Sequence, residues 1–152
     1  MNPQHSSQSH VEIRPFIIED YDEVLNLWRR AGLPFKPRGR DRKDRIKTEI
    51  EGNHTFFLLA ELEGQVIGSI LANHEGRKGW IHRLAVHPDH RRRGLARILL
   101  REAENHLREA GIEMIASLIE EDNKTSMIFF EQAGYIKHPD IIYLTKKKNP
   151  YA

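Results

Sequence analysis

The sequence predicts an α/β fold built around one mixed β-sheet. Two β-rich apolar runs are joined by the short link Glu63-Gly64, and a third run follows a link that contains Gly76 and Gly79. Short glycine-containing links between such runs are typical of hairpins, so the three runs predict an antiparallel meander. A long amphipathic helix and a further strand come next, and this order requires a right-handed crossover between parallel strands.

The N-terminal part is predicted as one strand and two helices. Apolar and charged residues alternate over residues 11–16, as a half-buried strand requires. Residues 18–31 begin with acids, end with bases and stop at Gly32, which suits the helix dipole and a glycine cap. Residues 41–51 carry isoleucines at helical spacing before Gly52, which predicts a second helix.

The rest of the chain is predicted as five strands and two helices. The longest helix follows from apolar residues that recur every three or four positions before Gly111. The predicted strands are residues 55–62, 65–72, 80–87, 114–119 and 141–145, and the predicted helices are residues 95–110 and 123–132.

The composition predicts a single domain. The chain has 152 residues, of which 39% are apolar and 30% are charged, and its net charge is +2. No apolar run approaches the roughly 18 residues of a membrane span, which excludes a membrane-spanning protein, and so small a charge does not require a polyanionic partner. We expect the polar residues 1–10 to be a disordered tail and residues 11–152 to form one domain.

The chain contains no cysteine, which excludes a disulfide framework, a cysteine-ligated zinc site and a thiol nucleophile. Its first residues lack the apolar segment of a secretory signal peptide, so we expect a soluble cytoplasmic protein. The nine histidines are scattered, and His82, His87 and His90 lack the i, i+4 spacing of a helical ligand pair. No metal site is therefore predicted.

The most informative stretch joins the third meander strand to the longest helix. It reads Leu84-Ala85-Val86-His87-Pro88-Asp89-His90-Arg91-Arg92-Arg93-Gly94-Leu95-Ala96. The first turn of a helix leaves backbone N–H groups unpaired, and a glycine lets the backbone approach a ligand closely. With three arginines beside it, this turn is typical of an anion-binding nest, and the alternative is a solvated basic helix cap.

Four motifs resemble those of the GNAT acetyltransferase superfamily, in particular its small prokaryotic single-domain members. Arg91-x-x-Gly94-x-Ala96 resembles the Arg/Gln-x-x-Gly-x-Gly/Ala motif of that family. Ile13-Arg14-Pro15 with Asp20, and Gly64-x-x-x-Gly68, resemble its opening elements and its central hairpin. The segment from Asn123 to Tyr135 resembles Asn-x-x-Ala-x-x-Leu-Tyr-Glu-Lys-x-Gly-Phe, and the likeness extends from Val11 to Lys146.

The resemblance implies acetyl-CoA as the donor substrate and an amine as the acceptor. It implies that the strands before and after the long helix splay apart, so that unpaired backbone amides hold the pantetheine and the thioester carbonyl. One such amide would stabilise the oxyanion of the reaction. The residues implied to contact acetyl-CoA are Leu84, Ala85, Val86, Arg91, Arg92, Arg93, Gly94, Leu95, Ala96, Arg97, Asn123 and Phe130. Arg97 alternatively points to solvent.

Phe130 departs from the family pattern. It stands where the family usually has a tyrosine that protonates the leaving thiolate, and a phenylalanine cannot donate a proton. Tyr143 on the predicted last strand is one candidate for the missing acid. Tyr135 is a second candidate, although it occupies the position of a packed aromatic residue.

His82 and Glu120 are the candidate general bases. Strand alternation places His82 on one face with Trp80 and Leu84, and a histidine with a pKa near 6.5 accepts a proton close to neutral pH. Glu120 lies at the end of the next predicted strand, where it could act directly or through a water molecule. The alternative for both residues is an exposed polar group at a strand end.

A basic segment lies where the family has its acceptor-binding loop. Residues 36–47 contain seven bases and two acids, a net charge of +5, which would favour acidic acceptors. The alternative is a solvated charged face.

The sequence leaves two other function classes open. One is a sensor that binds acetyl-CoA without turnover. The other is a basic module that uses residues 36–47, Arg91–Arg93 and Lys146–Lys148 to contact nucleic acid, although the aromatic stacking motifs of base recognition are missing. We expect no specific nucleic-acid partner and no membrane partner, and the sequence is compatible with a homodimer.

Overall fold

A computed structural model describes residues 10–152, so the predicted tail lies outside the described residues except for His10. The chain forms five strands and four α-helices in this part. The strands are β1 (Glu12–Pro15), β2 (Thr55–Leu62), β3 (Gln65–His74), β4 (Lys78–Val86) and β5 (Met114–Ser117). The helices are α1 (Tyr21–Ala31), α2 (Lys43–Glu51), α3 (Leu95–Glu109) and α4 (Lys124–Gln132). None of the helices in residues 10–152 has the length and apolar character that crossing a bilayer requires.

The strands form one mixed sheet in the order β1-β2-β3-β4-β5, which confirms the predicted fold class. Neighbouring strands from β1 to β4 are antiparallel, whereas β4 and β5 are parallel. The parallel pair is connected by α3, as a strand–helix–strand crossover requires.

The predicted splay between β4 and β5 is also present. Their ladder runs from the Lys78–Met114 pair to the Ile81–Ser117 pair and ends there, whereas β4 continues to Val86. Beyond Ile81, β4 pairs only with β3. A wedge therefore opens between the two parallel strands, and we call this opening the fork.

Helices cover both faces of the sheet. On one face, the core contains buried residues of α3 and α4: Leu95, Leu99, Leu100, Ala103, Leu107 and Phe130. On the other face, α1 and α2 contribute a second core that includes Tyr21, Val24, Leu27, Trp28 and Ile46. Gly68 lets α3 approach the sheet, because a Cβ there would lie 2.9 Å from Leu99 Cδ1.

The predicted last strand at residues 141–145 is wrong. Residues 141–148 have no strand partner, and Ile141, Ile142 and Leu144 are 70%, 81% and 86% exposed. The β-branched run has the local preference of a strand, but a strand also needs a neighbour whose backbone groups it can pair. β5 ends at Ser117 and bonds only to β4, so this preference is not satisfied here.

Candidate active site

The turn before α3 has the backbone geometry of an anion nest. A 3-10 turn at Pro88–His90 leads into it, and two of its residues are left-handed, Arg92 with φ 63° and Gly94 with φ 74°. No side chain caps the helix at Gly94, and the first helical bond is donated by Ile98 to the carbonyl of Gly94. The amides of residues 95–97 therefore precede the helical ladder and are available to a ligand at the positive end of the helix dipole.

The arginines of this turn differ in what they contact. Arg91 donates from Nε to the carbonyl of Val86 at 3.3 Å and from Nη2 to the carbonyl of Ala31 at 2.9 Å. It thus ties the turn to the ends of β4 and α1. Arg92 and Arg93 are exposed and make no hydrogen bond or ion pair within residues 10–152, so their charge is free to attract an anion.

Two further residues fix the region around the turn. Arg97, predicted to reach a phosphate or point to solvent, is exposed, and its Nη1 lies 3.5 Å from the carbonyl oxygen of Gln132. His87 is 5% exposed, and its Nδ1 accepts a hydrogen bond from the amide of Asp89 at 3.1 Å. Sequence reasoning overlooked this structural role of His87, although a polar residue before a proline at a helix start is a recognisable cap pattern.

A β-bulge changes which side chains of β4 share a face. Arg83 has φ 54°, and the register with β3 shifts between Ser69 and Leu71, so regular alternation is broken. Leu84 packs with the α3 side of the core, whereas His82 bonds to residues on the α2 side. The predicted common face of His82 and Leu84 is therefore wrong, because one additional residue reverses the alternation.

The backbone of β4 beyond the bulge faces the fork. Ala85 is buried against the α1 side, whereas Val86 packs toward α3 like Leu84. Ala85 and Val86 pair with β3, Leu84 lies in the bulge, and none of the three pairs with β5, which leaves this edge of the strand open toward the fork. This open edge is what the resemblance requires for backbone contact with the pantetheine.

Arg83 anchors the loop between α1 and α2 to the bulge. Its Nε lies 3.1 Å from Oδ1 of Asp41, its Nη2 contacts Oδ2 of the same carboxylate, and its Nη1 donates to the carbonyl of Pro34 at 2.6 Å. The side chains of Arg83 and Asp41 are 13% and 8% exposed. Asp41 also accepts a hydrogen bond from the amide of Lys36 at 2.6 Å. Residues 34–41, which we call the acceptor-side loop, are thus held by a nearly buried ion pair.

His82 is the β4 residue that directly follows the last pair with β5, so it stands at the opening of the fork. Its Nε2 lies 3.3 Å from Oδ1 of Asn73, and Nδ2 of Asn73 donates to Oε1 of Glu49 at 3.2 Å. Burial lowers the pKa of His82, the positive charges of Arg83 and Arg40 lower it further, and Asp41 opposes them. The imidazole is therefore neutral at pH 7 and able to accept a proton.

The other predicted catalytic residues do not gather around His82. Glu120 is exposed in the loop after β5, and Tyr143 is 68% exposed on the unpaired segment rather than on a strand. Within residues 10–152, no hydrogen bond, ion pair or aromatic contact joins His82, Glu120 and Tyr143. Of the three, His82 alone is embedded in a side-chain network at the fork.

Phe130 and its neighbours belong to the core. Phe130 is 6% exposed and packs edge to face on Tyr135 with ring centroids 5.0 Å apart. The hydroxyl of Tyr135 donates to Oε2 of Glu104 at 2.9 Å, and burial and this carboxylate raise the pKa of the tyrosine. Tyr135 is thus a packed structural residue.

Asn123 caps α4, because its side chain accepts a hydrogen bond from the amide of Ser126 at 3.2 Å.

Residues 21–135 match the family model described as the acetyltransferase (GNAT) family. The chain belongs to this family. This membership confirms the acetyltransferase family that the sequence motifs indicated. No cluster of three or more potential ligands for a metal ion lies within residues 10–152.

Solved structures with the same fold include three that hold a coenzyme A species. PaiA N-acetyltransferase from Thermoplasma acidophilum with coenzyme A has a TM-score of 0.72 and 22% identity, covering 82% of this chain and 88% of that chain. AAC(6')-Iy with the bisubstrate analogue CoA-S-monomethyl-acetylneamine has a TM-score of 0.75 and 20% identity, and the match covers 91% of this chain and 99% of that chain. A predicted acetyltransferase with acetyl-CoA from Clostridium acetobutylicum has a TM-score of 0.73 and 18% identity, and the match covers 90% of this chain and 96% of that chain.

Proposed function

We propose that the acetyltransferase is an N-acetyltransferase that acetylates a primary amine of a small molecule or of a protein N-terminus. One observation carries this proposal. The pairing of β4 with β5 ends at Ile81, which brings a neutral histidine, an open strand edge and an anion nest to consecutive parts of one fork. Acetyl transfer from acetyl-CoA to an amine uses all three: a base for the amine, a hydrogen-bond donor for the thioester oxyanion, and a site for the phosphates of coenzyme A.

The reaction proceeds by direct attack. The lone pair of the amine nitrogen forms a bond to the thioester carbonyl carbon, and the carbonyl oxygen takes the negative charge. A backbone N–H on the open edge of β4, near Leu84 or Val86, donates to that oxygen. His82 takes the proton from the nitrogen, the carbon–sulfur bond breaks, and coenzyme A leaves as a thiolate. With a thiol pKa of about 8.5, the thiolate departs without a tyrosine at Phe130.

The acceptor-side loop and α2 favour acceptors that carry acidic groups. Five bases in this region are exposed or half-buried and lie before or within α2: Arg40, Arg42, Lys43, Arg45 and Lys47. Asp41 is occupied by Arg83, so it does not neutralise them. AAC(6')-Iy binds an analogue of an aminoglycoside, whose several positive charges are repelled by such a surface. We propose an amine flanked by carboxylate or phosphate groups instead.

A thiol-release assay with a set of amines tests the proposed function. Acetyl-CoA should release coenzyme A only when an amine is present, and mass spectrometry should find the acetyl group on nitrogen. His82→Gln should lower kcat/KM by about 100-fold, whereas His138→Gln, a matched change at an exposed histidine, should leave it unchanged. An active His82→Gln protein would remove His82 from the mechanism.

The buried Phe130 favours a second candidate function, which is binding of acetyl-CoA without turnover. Its ring has no proton to donate and is enclosed by aromatic neighbours. Saturable acetyl-CoA binding without thiol release by any amine would support this sensor role and contradict the N-acetyltransferase.

A further inference from the structure

A chain of hydrogen bonds connects α2 to the fork through β3. Glu49 lies on α2, Asn73 near the end of β3 and His82 on β4. The amide of Asn73 bridges the other two side chains, with 3.2 Å on the carboxylate side and 3.3 Å on the imidazole side. All three side chains are half-buried, so water competes little for these contacts.

The chemistry of the three groups fixes where the proton on His82 lies. An ionised carboxylate only accepts hydrogen bonds, so the NH2 group of Asn73 faces Glu49. The amide oxygen of Asn73 therefore faces His82, and this oxygen also only accepts. Nε2 of His82 must then carry the proton, and the lone pair of the neutral ring lies on Nδ1.

We propose that Asn73 and Glu49 are positioning residues, which hold His82 in the Nε2–H tautomer and leave Nδ1 as the atom that takes the proton from the acceptor amine. This inference rests on the proposed function, because it assigns His82 the role of base. Glu49 orients the amide, the amide orients the imidazole, and neither residue needs to touch a substrate.

The same chain also acts on the charge of the ring. Accepting the proton turns His82 into an imidazolium, which the carboxylate of Glu49 stabilises through the amide. The other charged groups around the ring are Arg83 on the same strand and Arg40 and Asp41 in the acceptor-side loop. The two arginines disfavour the imidazolium and Asp41 favours it, and we expect the carboxylate of Glu49 to act in the same direction as Asp41.

The tautomer can be measured directly on the free protein. Long-range 1H–15N correlation spectra of protein with 15N-labelled histidine distinguish a protonated from an unprotonated ring nitrogen, and His82→Gln identifies the signals of His82. We expect wild-type His82 to show Nε2 protonated and Nδ1 unprotonated at pH 8. In Asn73→Leu the two signals should move toward an average of both tautomers. A wild-type ring with the proton on Nδ1 would overturn the proposal.

Two isosteric variants separate charge from orientation. Glu49→Gln keeps an oxygen that accepts from Asn73 but removes the charge, so the pKa of His82 should fall by about half a unit with the tautomer retained. Asn73→Asp keeps an oxygen at Nε2 and adds a charge, so the pKa should rise. Glu51→Gln, the same change at an exposed position of α2, should leave the pKa unmoved. If His82 had the same pKa in the wild type and in all three variants, the proposal would be contradicted.

Kinetic measurements test the positioning role of Asn73 and Glu49 separately from the proposed function. We expect Asn73→Leu to lower kcat by about tenfold with KM for acetyl-CoA unchanged, and Asn73→Asp to recover part of that loss. If His82→Gln is inactive while Asn73→Leu retains wild-type kcat, the positioning role is wrong and the N-acetyltransferase stands. If no amine is acetylated, the proposed function fails, and with it the assignment of Nδ1 as the base.

Discussion

The turn before α3 and the acceptor-side loop are held in place by opposite means. The turn is exposed, its ligand-facing groups are backbone amides, and two of its three consecutive arginines make no hydrogen bond or ion pair within residues 10–152. The loop is anchored by the ion pair of Arg83 and Asp41, whose side chains are nearly buried. A site made of backbone depends on local conformation, whereas a site held by side chains depends on partners distant in sequence. Substitutions should therefore affect binding in the first region and stability in the second.

The largest effect is expected at Arg83. Arg83→Met removes one partner of a nearly buried pair and leaves the carboxylate of Asp41 uncompensated, so the free energy of unfolding should fall by about 3 kcal/mol. Urea denaturation measures this change. The double variant with Asp41→Asn should lose less than the sum of the two single changes. Additive losses would show that the two residues do not act as a pair.

The turn should respond in the opposite way. Gly94→Asp places a negative charge in the anion nest, so acetyl-CoA binding should weaken by about 100-fold or more. Stability should change little, because a Cβ at Gly94 meets no atom within 4 Å, although φ of 74° adds some strain. Isothermal titration calorimetry measures the affinity. Gly76→Asp, at a left-handed turn glycine that is equally open, is the matched control and should bind normally. Binding within a few-fold of wild type would remove the pyrophosphate from this turn.

Phe130 tests whether the core beside the fork can supply an acid. Phe130→Tyr adds a hydroxyl to a ring that is 6% exposed, so kcat should rise by roughly tenfold or less and stability should fall by about 1 kcal/mol. Steady-state kinetics and thermal unfolding measure the two effects. Tyr143→Phe should leave kcat unchanged. A fall of about 100-fold for Tyr143→Phe would make that exposed tyrosine the acid.

The smallest effect is expected from the positive charge at the end of the acceptor-side loop and the start of α2. Reversing Arg40 and Arg42 to Glu should raise KM several-fold for acidic acceptors and leave KM for neutral acceptors unchanged. The difference should shrink as salt shortens the screening length toward ~8 Å. Comparing acceptors on the same variant removes any effect on His82. Reversing Arg101 and Arg108, which are exposed on α3, should not discriminate between acceptors. Equal changes for both classes would indicate a solvated face.

The same contrast explains which features the sequence predicts. The anion nest depends on a strand, a turn and a helix start that are contiguous, so the run from Leu84 to Ala96 is sufficient to predict it. Arg83 and Asp41 are 42 positions apart in the sequence, and charged residues are common around both positions, so neither residue stands out as one half of an ion pair. Nothing in the local sequence points to it. The link between Asn73 and Glu49 is hidden for the same reason.

Two predictions failed because they extended a local rule too far. Alternation placed His82 and Leu84 on one face, but Arg83 adopts a left-handed conformation. An arginine within an apolar strand pattern does not predict this conformation. The serine at position 69 supports this bulge, since its hydroxyl donates to the carbonyl of Arg83 at 2.8 Å and accepts from Trp28. The strand predicted at residues 141–145 had the right composition but has no partner strand in this structure.

The bulge at Arg83 divides β4 into two parts that can evolve separately. Before it, His82 faces the α2 side while Ile81 packs toward α3, and after it the edge of the strand is open toward the fork, where we propose that the donor binds. Point mutations before the bulge can therefore alter acceptor preference while use of acetyl-CoA persists. Deleting Arg83 would restore regular alternation with Leu84 and Val86 still facing α3, but it would remove the side chain that anchors the acceptor-side loop, so this extra residue serves the loop rather than the core.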